Sequence, residues 1–195
     1  MLDVSNMVQL GKDIYVYKNF LSKTDLNSYN KEILFFDEKD WTMVGSEERD
    51  VYWHTQPTTS LRILRNRLNN LTTGKLFVGD AFSFIRMLNG ASWPLHSDIY
   101  SFNKIVENSK KYKDGEPFIE ESIPVYGLIV YFNNFDGGEI YYPNQNVEYH
   151  PNAGDLVIHS SEEHCYHGVK PVLSDVRYSY SNNIRKIIKV PVNGS

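Results

Sequence analysis

The chain has one cysteine, Cys165, among its 195 residues. A single thiol excludes an internal disulfide and suits a reducing, cytoplasmic setting. No apolar run approaches the roughly 20 residues of a membrane-spanning helix, so no membrane association is expected. The N-terminus lacks a basic stretch followed by an apolar one, so no signal peptide is expected either. No long basic block is present, and the formal net charge is −4. That balance argues against a dedicated nucleic-acid binder, although a local basic groove is compatible with it. Internal repeats and low-complexity segments are also missing.

What is present is apolar and aromatic. Hydrophobic residues make up 41% of the chain, with 14 tyrosines, 10 phenylalanines and 3 tryptophans. The length suits one domain with a sizeable core, and the aromatic content favours strands and a lined cavity. A single domain is expected over residues 1–195, with an N-terminal strand and helices up to residue 79 and a β-rich core over 80–190.

Alternation predicts an opening strand over residues 13–21. Ser22-Lys23-Thr24-Asp25 reads as a capping box, and Leu26, Tyr29, Ile33 and Phe36 follow at helical spacing, which predicts a helix to about Phe36. A short strand pair is expected around Gly45, between Trp41 and Trp53, with Glu47-Glu48-Arg49-Asp50 as a solvated turn. Pro57-Thr58-Thr59-Ser60 opens a second helix that carries Leu61, Leu64, Leu68 and Leu71 on one side. Arg62, Arg65 and Arg67 fall mostly on its other side and read as a solvated face. Residues 80–88 predict a strand leading to the Asn89-Gly90 turn. Its Arg86 is either a substrate-pocket charge or an ion-pair partner at the barrel mouth.

Further short strands are expected at 125–132, 139–142, 146–150, 155–160, 165–170 and 176–182, with an outer strand at 184–190. Such regular spacing indicates an all-β sandwich or barrel. Residues 103–122 are crowded with charge and have little periodicity. They read as a flexible flap or as a disordered surface insertion.

The chemistry is concentrated in His96-Ser97-Asp98 and in His167-Gly168-Val169-Lys170-Pro171-Val172. Residues two apart on a strand share a face, so His96 and Asp98 can aim at a common point on a strand continuing through Tyr100 and Phe102. A histidine from a neighbouring strand would complete two imidazoles and a carboxylate, the set that occupies one face of a non-haem iron. His164 competes with His167, but its odd spacing would send it to the opposite strand face. His54, His150 and His159 are read as having no metal role.

The ordered series of Gly90, His96-Ser97-Asp98, Tyr131-Phe132-Asn133, Gly137-Gly138-Glu139, Tyr142-Pro143 and residues 151–158 continues through His167-Gly168-Val169 to Arg177-Tyr178-Ser179. It resembles the iron(II)- and 2-oxoglutarate-dependent oxygenases, most closely their prolyl-hydroxylase-like branch. The resemblance spans residues 80–182. It implies a mainly β fold, a double-stranded β-helix or jelly roll, buttressed by N-terminal helices. It also implies His96, Asp98 and His167 as ligands of Fe(II), with 2-oxoglutarate as cosubstrate and dioxygen as oxidant.

Arg177 stands ten residues after His167, as a basic residue does in related enzymes, and would anchor the far carboxylate of 2-oxoglutarate. A structural ion pair is its alternative. Ser179 shares the strand face of Arg177 and can donate to the same carboxylate. Tyr131 matches a family tyrosine that donates there too, or is an aromatic core residue. The implied reaction is hydroxylation of a C–H bond with release of succinate and carbon dioxide. Because Asp98 is present, the site does not match related halogenases, which lack that ligand. A peptide or protein side chain is the expected substrate, with a free amino acid, another small molecule or a nucleobase as alternatives. A non-catalytic jelly-roll binding module is the competing reading from another class.

Overall fold

In a computed structural model that describes residues 1–44, 50–80, 83–98 and 118–191, the strands form two antiparallel sheets. The elements in chain order are β1 (Val8–Gly11), β2 (Ile14–Tyr17), α1 (Lys23–Ile33), β3 (Thr42–Met43), β4 (Val51–His54), α2 (Thr59–Asn69), β5 (Leu76–Val78), β6 (Phe84–Leu88), β7 (Trp93–His96), β8 (Phe118–Tyr131), β9 (Ile140–Tyr142), β10 (Val147–Tyr149), β11 (Leu156–Ser160), β12 (His167–Val169) and β13 (Val176–Pro191). The larger sheet runs β1-β2-β11-β8-β13-β6-β4-β3, with β5 also paired to β13. The smaller runs β10-β9-β12-β7. This is the expected jelly-roll architecture with buttressing helices.

Two-residue alternation splits the larger sheet into two working faces. Phe84, Leu128, Val130, Leu156, Ile158 and Tyr180 share a core with Tyr29 and Ile33 of α1 and with Leu61, Leu64 and Leu68 of α2. The helices are therefore held by burial: each fully buried leucine contributes about 1.5–3 kcal/mol, more than an eleven-residue helix can supply by itself. The opposite face puts Ile14, Val16, Tyr131 and Val157 against Ile140 and Tyr142 of β9, filling the space between the sheets.

The capping box forms as expected. Ser22 Oγ accepts from the Asp25 N–H while the Asp25 carboxylate accepts from the Ser22 N–H. Helix α1 stops at Ile33 rather than Phe36, because Phe36 leaves the helix to stack on His54 at 3.9 Å between ring centroids.

Several expectations need correction. The strands at 176–182 and 184–190 are one strand, β13, with a register shift between Ile184 and Arg185. Strand β8 begins at Phe118 and pairs residue by residue with the end of β13, so residues 118–122 are strand rather than flap. Residues 103–117, the expected continuation through Tyr100 and Phe102, and residues 45–49 of the expected turn lie outside the described residues. Strands β1 and β5 were not legible, being short and flanked by turns.

The arginines of α2 do not form a uniform solvated face. Arg62 is exposed, but Arg65 donates to the carbonyls of Val78 and Gly79 and pairs with Asp80 at 2.5 Å. Arg67 pairs with Asp25 at 2.9 Å and lies over the Phe20 ring. Both tie α2 to its neighbours. Arg86 resolves as an ion-pair partner. Its two terminal nitrogens donate to the two Glu38 oxygens at 2.7 Å each, and its guanidinium lies over Trp41 and Tyr52. Ile85 and Met87 line the inter-sheet cavity, so strand parity sends Arg86 to the other face. Among the described residues, no helix is long and apolar enough to cross a membrane.

Candidate active site

The cavity between the sheets holds about 240 Å³. Antiparallel pairing of β7 with β12 puts His96 directly opposite His167, with ring centroids 4.3 Å apart. Strand β7 ends at His96, and Asp98 lies in a turn two residues on, not on a continuing strand face as expected. Its carboxylate nevertheless reaches back, with Oδ1 3.7 Å from His96 Nε2. One ligand atom from each of His96, Asp98 and His167 lies within 4.8 Å of the others, a spacing that one metal ion could bridge.

Both imidazoles are oriented through their other nitrogen. His96 Nδ1 donates to the Pro94 carbonyl at 3.0 Å, and His167 Nδ1 donates to the Cys165 carbonyl at 2.9 Å. Each bond leaves the Nε2 lone pair free, the arrangement that fixes a metal-binding tautomer. Burial, reinforced by the neighbouring His159 and His96 rings, pushes His167 down to about 2, so its imidazole is neutral. Burial pushes the Asp98 carboxyl upward, but the three surrounding imidazoles outweigh it and the net shift is downward. Two imidazole nitrogens and one carboxylate oxygen are the donor set of a non-haem Fe(II) site.

Arg177 faces the same cavity from β13 and is 2% exposed. Among the described residues, no carboxylate lies within ion-pair distance of it. Its Nη1 touches the thioether of Met87 at 2.7 Å, and its guanidinium lies 5.0 Å from the Tyr131 ring centroid and 5.5 Å from that of Phe135. The buried atoms Arg177 Nε, Ser179 Oγ and Tyr131 Oη all lack hydrogen-bond partners. Ser179 stands directly opposite Tyr131 in the β13–β8 register, and Ser179 lines the cavity with Arg177 whereas Tyr131 does not. A buried, uncompensated cation beside orphaned hydroxyls is expensive unless an anion completes it. The arrangement fits a carboxylate.

The remaining histidines separate clearly. His164 lies in a short 3-10 turn, not on a strand, and its Nε2 meets Asp13 Oδ2 at 3.0 Å. The parity reason for setting it aside fails, although the side chain does turn away. His54 bonds the Asp40 carbonyl, and His150 pairs with Glu139. His159 differs: it is 1% exposed, lines the cavity, and puts Nε2 3.6 Å from Asp98 Oδ2. Sequence reasoning gave it no part in the site. The available signal was Gly127, a glycine inside the apolar run of β8, which marks close approach of other groups. A Cβ there would come within 2.5 Å of Asp98 Oδ2 and collide with His159 Nε2. Gly127→Ala is therefore expected to weaken divalent-metal binding by about 10–100-fold while the protein stays folded, as read by Mn(II) titration beside a melting curve. Unchanged binding would mean that the Asp98 carboxylate does not depend on this clearance.

No protein-family model matches the chain, and a comparison with curated proteins found no match. Solved structures do match. The chain is similar to the viral collagen prolyl hydroxylase of Paramecium Bursaria Chlorella virus-1 in complex with 2-oxoglutarate, at 15% identity and a TM-score of 0.63, covering 90% of this chain and 97% of that one. A Trichoplax adhaerens prolyl hydroxylase bound to a hypoxia inducible factor peptide fragment is 14% identical, with a TM-score of 0.65 and coverage of 89% and 84%. HygX from Streptomyces hygroscopicus, with nickel, 2-oxoglutarate and hygromycin B bound, is 12% identical, with a TM-score of 0.58 and coverage of 88% and 82%. The fold is that of the 2-oxoglutarate/Fe(II) oxygenases.

Proposed function

We propose that this chain, read as one domain over residues 1–195, is an iron(II)- and 2-oxoglutarate-dependent dioxygenase that hydroxylates a C–H bond. The observation that carries the reading is the sharing of one cavity by the His96–Asp98–His167 cluster and the buried Arg177, a cation without a carboxylate partner among the described residues.

His96 and His167 would hold the iron through Nε2, and Asp98 would hold it through a carboxylate oxygen. Arg177 and the Ser179 hydroxyl would grip the far carboxylate of 2-oxoglutarate, with charge-assisted hydrogen bonds from the guanidinium. The buried Tyr131 hydroxyl is a further donor beside them. When bound, iron and 2-oxoglutarate would supply the oxidising power with dioxygen as the oxidant, one oxygen atom going into succinate as carbon dioxide leaves and the other into the hydroxyl on substrate. The chain's own part is to orient both groups and keep water out. Val51, Trp53, Ile85, Trp93 and Val169 form the apolar lining that does so.

The substrate we favour is a peptide or protein side chain, in keeping with the Trichoplax relative of the same fold, whose structure holds a peptide. A small molecule is the second reading, favoured by the hygromycin B in HygX. The intracellular setting is proposed on the single thiol. Cys165 is buried, and burial pushes it up to about 11, so it is kept as an unreactive thiol.

Anaerobic addition of Fe(II) and 2-oxoglutarate tests the reading. A weak visible charge-transfer band, followed by succinate formation on admitting air, is the expected result. Neither band nor succinate would favour a binding module that keeps the scaffold without the chemistry. A peptide library read by mass spectrometry for one added oxygen would then separate the substrate classes.

A further inference from the structure

His159 faces the proposed metal centre and has no task in the reading above. Its setting is specific. The register of β11 with β8 puts His159 opposite Gly127, and that of β8 with β13 puts Gly127 opposite Asn183. The three residues form a row across the inner face of the larger sheet, and the middle one has no side chain. Oδ2 of Asp98 sits over that gap. It lies 3.6 Å from His159 Nε2 on one side and 3.5 Å from Asn183 Nδ2 on the other. Oδ1 points the other way, 3.7 Å from His96 Nε2.

The other nitrogen of His159 has a hydrogen-bond partner. Its Nδ1 lies 2.9 Å from the hydroxyl of the fully buried Tyr142. An ionised carboxylate has only lone pairs to offer, so the imidazole nitrogen facing it must carry the proton. Nδ1 is then an acceptor, and the Tyr142 hydroxyl donates to it. Burial raises the Tyr142 phenol well above its ordinary value, which keeps that proton in place. The His159 ring packs on His167 at 4.1 Å between centroids and on Tyr142 at 5.6 Å, so it has little room to swing.

We propose that His159, its tautomer set by Tyr142, is a positioning residue that acts with Asn183 to hold the outer oxygen of Asp98 and leave Oδ1 as the oxygen offered to the metal. A carboxylate left free could rotate and offer both oxygens, taking a position that the cosubstrate needs. The 3.6 Å separation is a few tenths of an ångström beyond hydrogen-bond length, a gap a small carboxylate rotation closes. The inference rests on the ligand assignment proposed above.

The test titrates Mn(II) into the full chain, reading bound metal by electron paramagnetic resonance, with a melting curve for each variant. His159→Phe keeps a planar ring and removes the donor. It is expected to weaken Mn(II) binding about 10–100-fold, the usual loss for a partner behind a metal ligand. His159→Gln keeps a donor for Oδ2 and an acceptor for Tyr142, and is expected to recover most of that loss. Tyr142→Phe should show a smaller loss.

Wild-type binding by His159→Phe overturns the inference. Equal losses in the Phe and Gln variants also overturn it, because packing rather than the donor would then matter. So would a Cu(II)-loaded wild-type spectrum with three imidazole nitrogens that drops to two in His159→Gln, since His159 would then be a ligand itself. If His167→Ala binds Mn(II) as well as wild type, or wild type binds none, the ligand assignment falls and this inference with it. Lost binding in His167→Ala beside normal binding in His159→Phe removes the inference alone.

Discussion

Replacing His167 with alanine is expected to reduce turnover to background and abolish the Fe(II)/2-oxoglutarate absorption band, while the protein remains folded. His167 is 4% exposed and its imidazole faces an existing cavity. The deletion therefore enlarges a space that is already there rather than opening a new hole in packed core. The structural loss is chiefly the hydrogen bond to the Cys165 carbonyl at 2.9 Å, worth about 1 kcal/mol. For a chain of this size, that lowers Tm by only about 2–4 °C. Calorimetry and anaerobic absorption on one preparation separate the two effects. Iron binding and succinate production at wild-type levels in this variant would sink the ligand assignment.

Arg177→Met is expected to separate stability from function in the opposite direction. The buried guanidinium has no carboxylate partner among the described residues. In the absence of ligand the chain therefore bears its desolvation, offset by the Tyr131 and Phe135 rings and by the Met87 thioether. Stacking of this kind contributes about 0.5–2 kcal/mol. An uncompensated buried charge costs several, so desolvation outweighs stacking. The ligand-free variant is expected to melt no lower than wild type. Its 2-oxoglutarate requirement should rise about 30-fold or more, because removing one partner of a buried, hydrogen-bonded charge pair costs about 2–5 kcal/mol. The iron requirement should change far less. A thermal shift with added 2-oxoglutarate, present in wild type and lost in the variant, reads the same difference through linkage. Equal rises in the iron and 2-oxoglutarate requirements would remove the anchor role.

Much of this was readable from local pattern. The capping box at Ser22, the leucines of α2, the strand series and the glycine turns all report interactions between near neighbours in sequence. The His-x-Asp pair and the distant histidine were legible as chemistry, because their residue types and order limit what they can bind.

The amino-acid sequence by itself determined the β-rich class and the buttressing helices, and it singled out His96, Asp98, His167 and Arg177 as candidates. Only the tertiary structure decided that Asp98 reaches the cluster from a turn rather than a strand, that Arg86 is spent on Glu38, and that His159 lines the same cavity. The reason is physical. Periodicity states which residues share a face of one strand, whereas sheet register states which strands lie side by side. Gly127 stands between His159 and Asn183 only because β8 runs between β11 and β13. That neighbour relation joins residues up to 56 positions apart, and no local pattern in the chain encodes it.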